Sequence, residues 1–468
     1  MKRLLRPLLL ALPFVAAAFG SCGGSSGASG SLADSLSDTA RHPLPDTLRV
    51  GTLYSPTSYF IYRETEMGYD YDLVQRLAED KGMVVDLVIA NNLQSAIEML
   101  DSGKIDLLAY EVPITGEYKG RVVPCGIENV THQVLVQPKS SDSTRITDVT
   151  QLPGKEVYVE NDSKYFHRMV NLNEELGGGI KIVPVERDTL ITEDLIAMVS
   201  DGEIPLTVVD SDIAGINKTY YPDLDITLEV SFPQRSAWAV SPSDKWLADS
   251  INEWSRQELP RRQRASILKR YYERSKQQPA LYVMDFKGGK MSPYDGLFKL
   301  YARELGWDWR LLSSMGYAES RYDSTQVSWA GARGIMQLMP ATARAFELSA
   351  DRMANNNDNI STAVKVIASL DRSLRRHVSD PHERVKFIIA AYNSGLAHVL
   401  DAIAIAKKVG YRSDVWDGAV AEALMMKSNP EYYNDPVCRY GYFRGRQTYD
   451  YVKTVMACFD KAKKQIPK

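Results

Sequence analysis

A change of hydrophobic period at Pro293 constrains this chain more than any other feature. Before it, short apolar runs alternate with helical patterns: residues 48–53, 84–89 and 105–110 read as strands, and 71–81 and 93–102 as amphipathic helices. A second cycle runs through strands at 157–160, 180–185 and 206–209 and a helix at 193–200. That β-α-β rhythm predicts parallel sheets in two α/β lobes with a cleft between them. After Pro293 only helical periodicity remains, at 294–305, 309–320, 340–346, 360–375, 383–392, 397–408, 415–427 and 449–462. The expected architecture is therefore multidomain, a two-lobed α/β domain over 46–275, a connector over 276–290 and a mostly α domain over 291–468.

At 468 residues with 44% hydrophobic and 25% charged content, the chain is too long for one core and too apolar for disorder. Its charge is uneven. Residues 291–468 carry 25 Lys+Arg against 19 Asp+Glu, whereas the remainder carries 31 against 40. The basic part suits an anionic partner, but a net charge of -3 gives no reason to expect nucleic acid.

Residues 1–21 read as a targeting segment: Lys2, Arg3 and Arg6 precede an apolar stretch too short to span a bilayer, and Gly20-Ser21-Cys22 is a small-residue processing site. The segment resembles a bacterial lipobox, with Phe19 where Leu is usual. The resemblance implies lipidation of Cys22, a flexible Gly/Ser tether over 22–45, and a periplasmic protein anchored to the outer membrane. Export permits disulfides, and Cys438 could pair with Cys458. The six histidines show no ligand spacing, so neither metal nor other cofactor is expected.

Within 309–320 the apolar stripe passes through Trp309, Leu312, Met315 and Gly316, and the next position on that face is Glu319. Burial there would favour the protonated acid, the state a general acid needs on a glycosidic oxygen. Fifteen residues on, Gly331-Ala332-Arg333-Gly334-Ile335-Met336-Gln337-Leu338-Met339-Pro340 is a glycine-bearing loop entering a helix, and Gln337 offers donor and acceptor to a sugar. Ala391-Tyr392-Asn393-Ser394-Gly395 closes a further apolar helix.

Two resemblances organise these residues. Leu48-Arg49-Val50-Gly51, Gly68-Tyr69-Asp70-Tyr71-Asp72-Leu73, Ile105-Asp106-Leu107-Leu108 and Leu152-Pro153-Gly154-Lys155 resemble family 3 bacterial solute-binding domains. Amino-acid binders of that family carry an Arg shortly after a Thr to clamp the ligand carboxylate; here Thr115 is followed by Tyr118, and Arg121 falls three residues late. Glu319-Ser320, Gly331 to Pro340, Ala391 to Gly395, and Gln447-Thr448 with Tyr451-Val452 resemble, in order, the motifs of the lysozyme-like domain of soluble lytic transglycosylases, with Gln447 where Glu is usual.

The second resemblance implies Glu319 as the catalytic acid, substrate contacts from Ser320, Gly334, Met336, Gln337, Tyr392, Asn393 and Tyr451, and peptidoglycan strands as partner. It implies cleavage of the bond between N-acetylmuramic acid and N-acetylglucosamine, the muramic C6 hydroxyl closing a 1,6-anhydro ring where a hydrolase admits water. The front domain would then sense a muropeptide or small solute. A hydrolytic muramidase using Asp323 as second carboxylate is the nearest alternative. A sensor lipoprotein that only holds glycan is the other, and Asp323-Ser324-Thr325 reads as a capping loop.

Overall fold

The structure is a computed structural model that describes residues 43–116, 118–139, 144–161, 163–185, 192–273 and 286–467; Cys22, the targeting segment and most of the connector lie outside them. Residues 44–468 form one compact unit.

Among the described residues the front domain has twelve strands: β1 Thr47–Leu53, β2 Phe60–Tyr62, β3 Thr65–Met67, β4 Val84–Ala90, β5 Leu107–Pro113, β6 Val123–Thr131, β7 Gln133–Pro138, β8 Glu156–Glu160, β9 Lys181–Val185, β10 Thr207–Asp210, β11 Leu224–Asp225 and β12 Gln234–Val240. Lobe 1 is a five-stranded sheet ordered β4-β1-β5-β12-β6, and lobe 2 a five-stranded sheet ordered β11-β7-β10-β8-β9. Helices Tyr69–Lys81 and Leu93–Asp101 connect β1 to β4 and β4 to β5, and β1 pairs parallel with both β4 and β5. The expectation of purely parallel sheets needs correction, because β12 runs antiparallel to both β5 and β6, and β7 antiparallel to β10 and β11. The chain crosses from lobe 1 to lobe 2 between β6 and β7 and returns between β11 and β12, and no helical crossover imposes parallel direction on those strands. The two crossings are tied to each other, since Gln133 N donates to Ser231 Oγ at 2.8 Å and Val230 N to Gln133 O at 2.8 Å.

Each lobe buries its own apolar strand faces, with Leu48, Val50 and Leu107 in lobe 1 and Leu135, Val157 and Val209 in lobe 2. The C-terminal domain is helical around Phe298, Leu312, Met315, Phe387 and Trp416. Local chemistry sets its helix ends. Asp308 caps Trp309–Ser320, Asn355 caps Asn356–Leu374, and Asp380 caps Pro381–Ser394, which has Pro in its first turn.

The helical domain and lobe 1 also share a core. Trp329, Ala330, Ala332 and Met339 pack into the lobe 1 cluster, and the Trp329 ring lies 5.3 Å from that of Tyr62 and 6.2 Å from that of Tyr271.

Candidate active site

The helix Trp309–Ser320 positions Glu319. Gly316 lets that helix approach its neighbours, since a Cβ there would come within 2.8 Å of Phe298 Cζ. Glu319 is 2% exposed, and burial pushes its carboxyl above the ordinary range; the Arg63 guanidinium and the Tyr451 hydroxyl act against that shift. Tyr451, on the helix Gly445–Gln465, donates to Glu319 Oε1 at 2.8 Å.

The loop after the helix is held from both sides. Ser320 Oγ donates to Ile335 O at 2.8 Å, Met336 N to Asn359 Oδ1 at 2.8 Å, and Tyr392 Oη to Met336 O at 2.8 Å. Gly334 has φ 78°, and a Cβ there would lie 2.5 Å from Asn359 Nδ2 and from Met353 O. The side chains of Ser320 and Met336 are fully buried, so these two and Gly334 shape the loop from behind. Gln337 is 2% exposed with φ 46°; its Nε2 donates to Gly334 O at 2.8 Å, while Oε1 has no hydrogen-bond partner among the described residues. Thr448 Oγ1 donates to Asn393 Oδ1 at 2.7 Å and fixes that side chain. Gln337, Tyr392 and Gly395 line a groove of about 220 Å³ with Thr342, Phe346 and Ser373. The structure thus gathers Glu319, Gln337, Tyr392, Asn393 and Tyr451 at one place.

A residue that sequence reasoning missed sits in the middle of them. Strands β2 and β3 form a hairpin whose Tyr62 pairs with Thr65, leaving Arg63 and Glu64 as the turn, with φ of 47° and 60°. That is the backbone of a two-residue turn in which Asn-Gly is the usual occupant, so two bulky residues are held there under strain. Arg63 Nη2 donates to both Glu319 oxygens at 3.1 and 2.9 Å, Nη1 to Gln337 O at 2.8 Å, and Nε to Asn393 O at 2.9 Å. Arg63 N donates to Ser394 O at 3.2 Å. Gly395 accommodates the tip, since a Cβ there would stand 3.2 Å from Glu64. Behind the tip, His398 Nε2 donates to Ile61 O at 2.9 Å, its Nδ1 accepts from buried Lys427 at 2.9 Å, and Lys427 also donates to Asp401 at 2.5 Å. Since a carbonyl only accepts, these contacts fix the His398 tautomer.

Other residues singled out from sequence lie elsewhere. Asp323 accepts from Thr325 N at 2.8 Å and Oγ1 at 2.7 Å in a local turn. The Cys438–Cys458 pairing is corrected, because both are free thiols and Cys438 Sγ instead donates to Asp401 at 3.2 Å. Arg121 pairs with Asp101 at 3.6 Å on the surface of lobe 1. No helix among the described residues is long and apolar enough to cross a membrane.

Comparison with known proteins matches the chain in two parts. The model of bacterial extracellular solute-binding proteins, family 3, matches residues 48–274, and that of the transglycosylase SLT domain matches residues 296–415. A solved structure, substrate-binding domain 2 of Lactococcus lactis GlnP in its open conformation, covers 50% of this chain and 97% of its own at 18% identity and a TM-score of 0.42. A solute-binding domain joined to a transglycosylase domain is the class the two family models define. Membrane-bound lytic murein transglycosylase F of Desulfosudis oleivorans is 31% identical over 464 residues, covering 98% of each chain. Its counterpart from Pseudomonas fluorescens is 29% identical over 425 residues, covering 88% of this chain and 84% of its own. The chain belongs to the membrane-bound lytic murein transglycosylase F family.

Proposed function

We propose that the chain is a peptidoglycan lytic transglycosylase, a lyase of cell-wall turnover or remodelling, captured with its catalytic acid covered. The observation that carries this reading is Glu319, a buried carboxyl held by Tyr451 beside a groove, with Asp323 turned into its own loop. One acid then does two jobs. Protonated, it gives its proton to the oxygen between N-acetylmuramic acid and N-acetylglucosamine. As carboxylate, it takes the proton of the muramic C6 hydroxyl while that oxygen closes on C1. The product is a 1,6-anhydro end, and no water is consumed. Gln337, Tyr392, Asn393 and Tyr451 position the glycan and the acid, with Ser320, Gly334 and Met336 supporting the loop.

Arg63 blocks this chemistry twice, by filling the space in front of Glu319 and by pairing with its ionised form. Turnover requires the hairpin to withdraw, which places control with the front domain and its ligand. Cys22 carries a lipid that holds the protein at the outer membrane on the tether of 22–45. The test of the catalytic reading is product analysis on purified peptidoglycan. Glu319→Gln should release no anhydro-muropeptides, while Asp323→Asn retains turnover; reducing muramic ends in place of anhydro ends would mean hydrolysis.

A further inference from the structure

A cavity of about 700 Å³ lies between the two lobes, and Pro430, Tyr433 and Tyr442 of the helical domain form a third wall. Its described lining is acidic, with Glu111, Glu160, Glu193, Asp210 and Asp212 against two cations, Lys164 and Arg235. Both cations are already engaged. Lys164 pairs with Asp210, and Arg235 forks onto Glu128 at the rim. The anions are matched only in part: Glu193 accepts from Tyr442 and lies near the Arg444 guanidinium, and Asp210 has Lys164. Asp210 is 9% exposed, yet its Oδ1 meets no donor among the described residues, and neither does Oδ1 of Asp212. Glu111 receives one hydrogen bond, from Asn129 Nδ2 at 3.0 Å.

Gathering carboxylates this way is costly without a counter-charge, and burial together with the neighbouring carboxylates pushes Glu111 up to about 8 and Asp212 to about 6. Tyr54 and Tyr110 line the same space, and aromatic faces favour ammonium groups. Among the described lining residues the one guanidinium, that of Arg235, is taken by Glu128, and Arg121 is committed to Asp101 and is not part of the lining.

We propose that this cavity binds an organic cation, an amine-bearing ligand recognised by Glu111, Asp212 and Glu193 and not dependent on a free carboxylate. The ligand class stands on the cavity alone; what the ligand controls rests on the transglycosylase reading. Glu193 is the link between them. Both of its carboxylate oxygens accept from Tyr442 Oη, at 2.7 and 2.9 Å. Tyr442 lies three residues before the helix Gly445–Gln465 that carries Tyr451. An ammonium group that takes Glu193 frees Tyr442 and loosens the approach to the helix whose Tyr451 donates to Glu319.

The experiment is calorimetry and thermal melting of the full mature chain with four probes: L-lysine, cadaverine, glutarate and calcium chloride. L-lysine and cadaverine should bind and raise the melting temperature, and glutarate should do neither. The Glu111→Gln/Asp212→Asn variant should fold and lose about tenfold or more in Kd for both amines, because charge-assisted hydrogen bonds are removed. Glu319→Gln should bind them as the parent does, which separates this result from the fate of the catalytic reading. Glutarate binding as tightly as cadaverine, calcium alone raising the melting temperature, or no amine binding at millimolar concentration would each overturn the proposal.

Discussion

Replacing Arg63 with Ala should switch the enzyme on. In the closed arrangement its guanidinium makes four hydrogen bonds, two to the Glu319 carboxylate and one each to the carbonyls of Gln337 and Asn393. A net value of roughly 0.5–1.5 kcal/mol per bond gives a few kcal/mol, and about 3 kcal/mol corresponds to a shift of roughly 150-fold in the balance between docked and withdrawn hairpin. Backbone strain at the turn does not offset this, because Ala meets the same penalty at positive φ. The rate of anhydro-muropeptide release from purified peptidoglycan, followed by liquid chromatography and mass spectrometry, should rise by up to about 100-fold, limited by how far the parent already opens. A second readout follows from charge. Without Arg63 the burial of Glu319 is opposed only by Tyr451, so its pKa moves further up and the alkaline limb of the rate profile moves with it. Arg63→Lys, which keeps charge but not the fork, should fall between the two. Unchanged or lower activity in an Arg63→Ala protein that still melts cooperatively would refute the reasoning.

Tyr451→Phe removes the remaining hydrogen bond to the Glu319 carboxylate and should lower kcat by about tenfold while leaving the fold intact, read from turnover and melting together. For Glu111→Gln the pH dependence of stability decides. A carboxyl raised from 4.5 to about 8 contributes stability that is full below its unfolded pKa and is lost as pH rises through its folded one. The variant should therefore melt like the parent near pH 5 and higher than it above about pH 8. Cys22→Ser should move the protein from the membrane fraction to the soluble periplasm, seen by fractionation and immunoblotting; full retention would exclude the lipid as anchor.

Helices were the legible part of this sequence. The span 309–320 is the helix Trp309–Ser320, because a capping Asp and an apolar stripe both mark it. The β-α-β strands were legible for the same reason of periodicity, whereas no helix separates β6 from β7 or β11 from β12, and the antiparallel pairing of β7 and β12 is set by those lobe crossings and by partners distant in sequence. The short motifs around Glu319, Gln337, Tyr392 and Tyr451 identified residues that converge in space. Arg63 carried no signal. Its turn lacks the Gly or Asn that mark a hairpin, and its partners are 256 to 330 residues away, so only the packing of Trp329 against Tyr62 and the docking of the tip show its place.

The hairpin tip belongs to the same polypeptide as the carboxyl it covers. An inhibitor tethered in this way has an effective concentration fixed by chain geometry, in the millimolar range or above for a short connection, and it is present at one copy per active site at any expression level. A cell can therefore store an enzyme that cuts its own wall at high abundance without matching it to a separate inhibitor protein. Dilution on growth does not release it, and under the proposed control by the front domain each molecule is armed or silent by its own ligand occupancy.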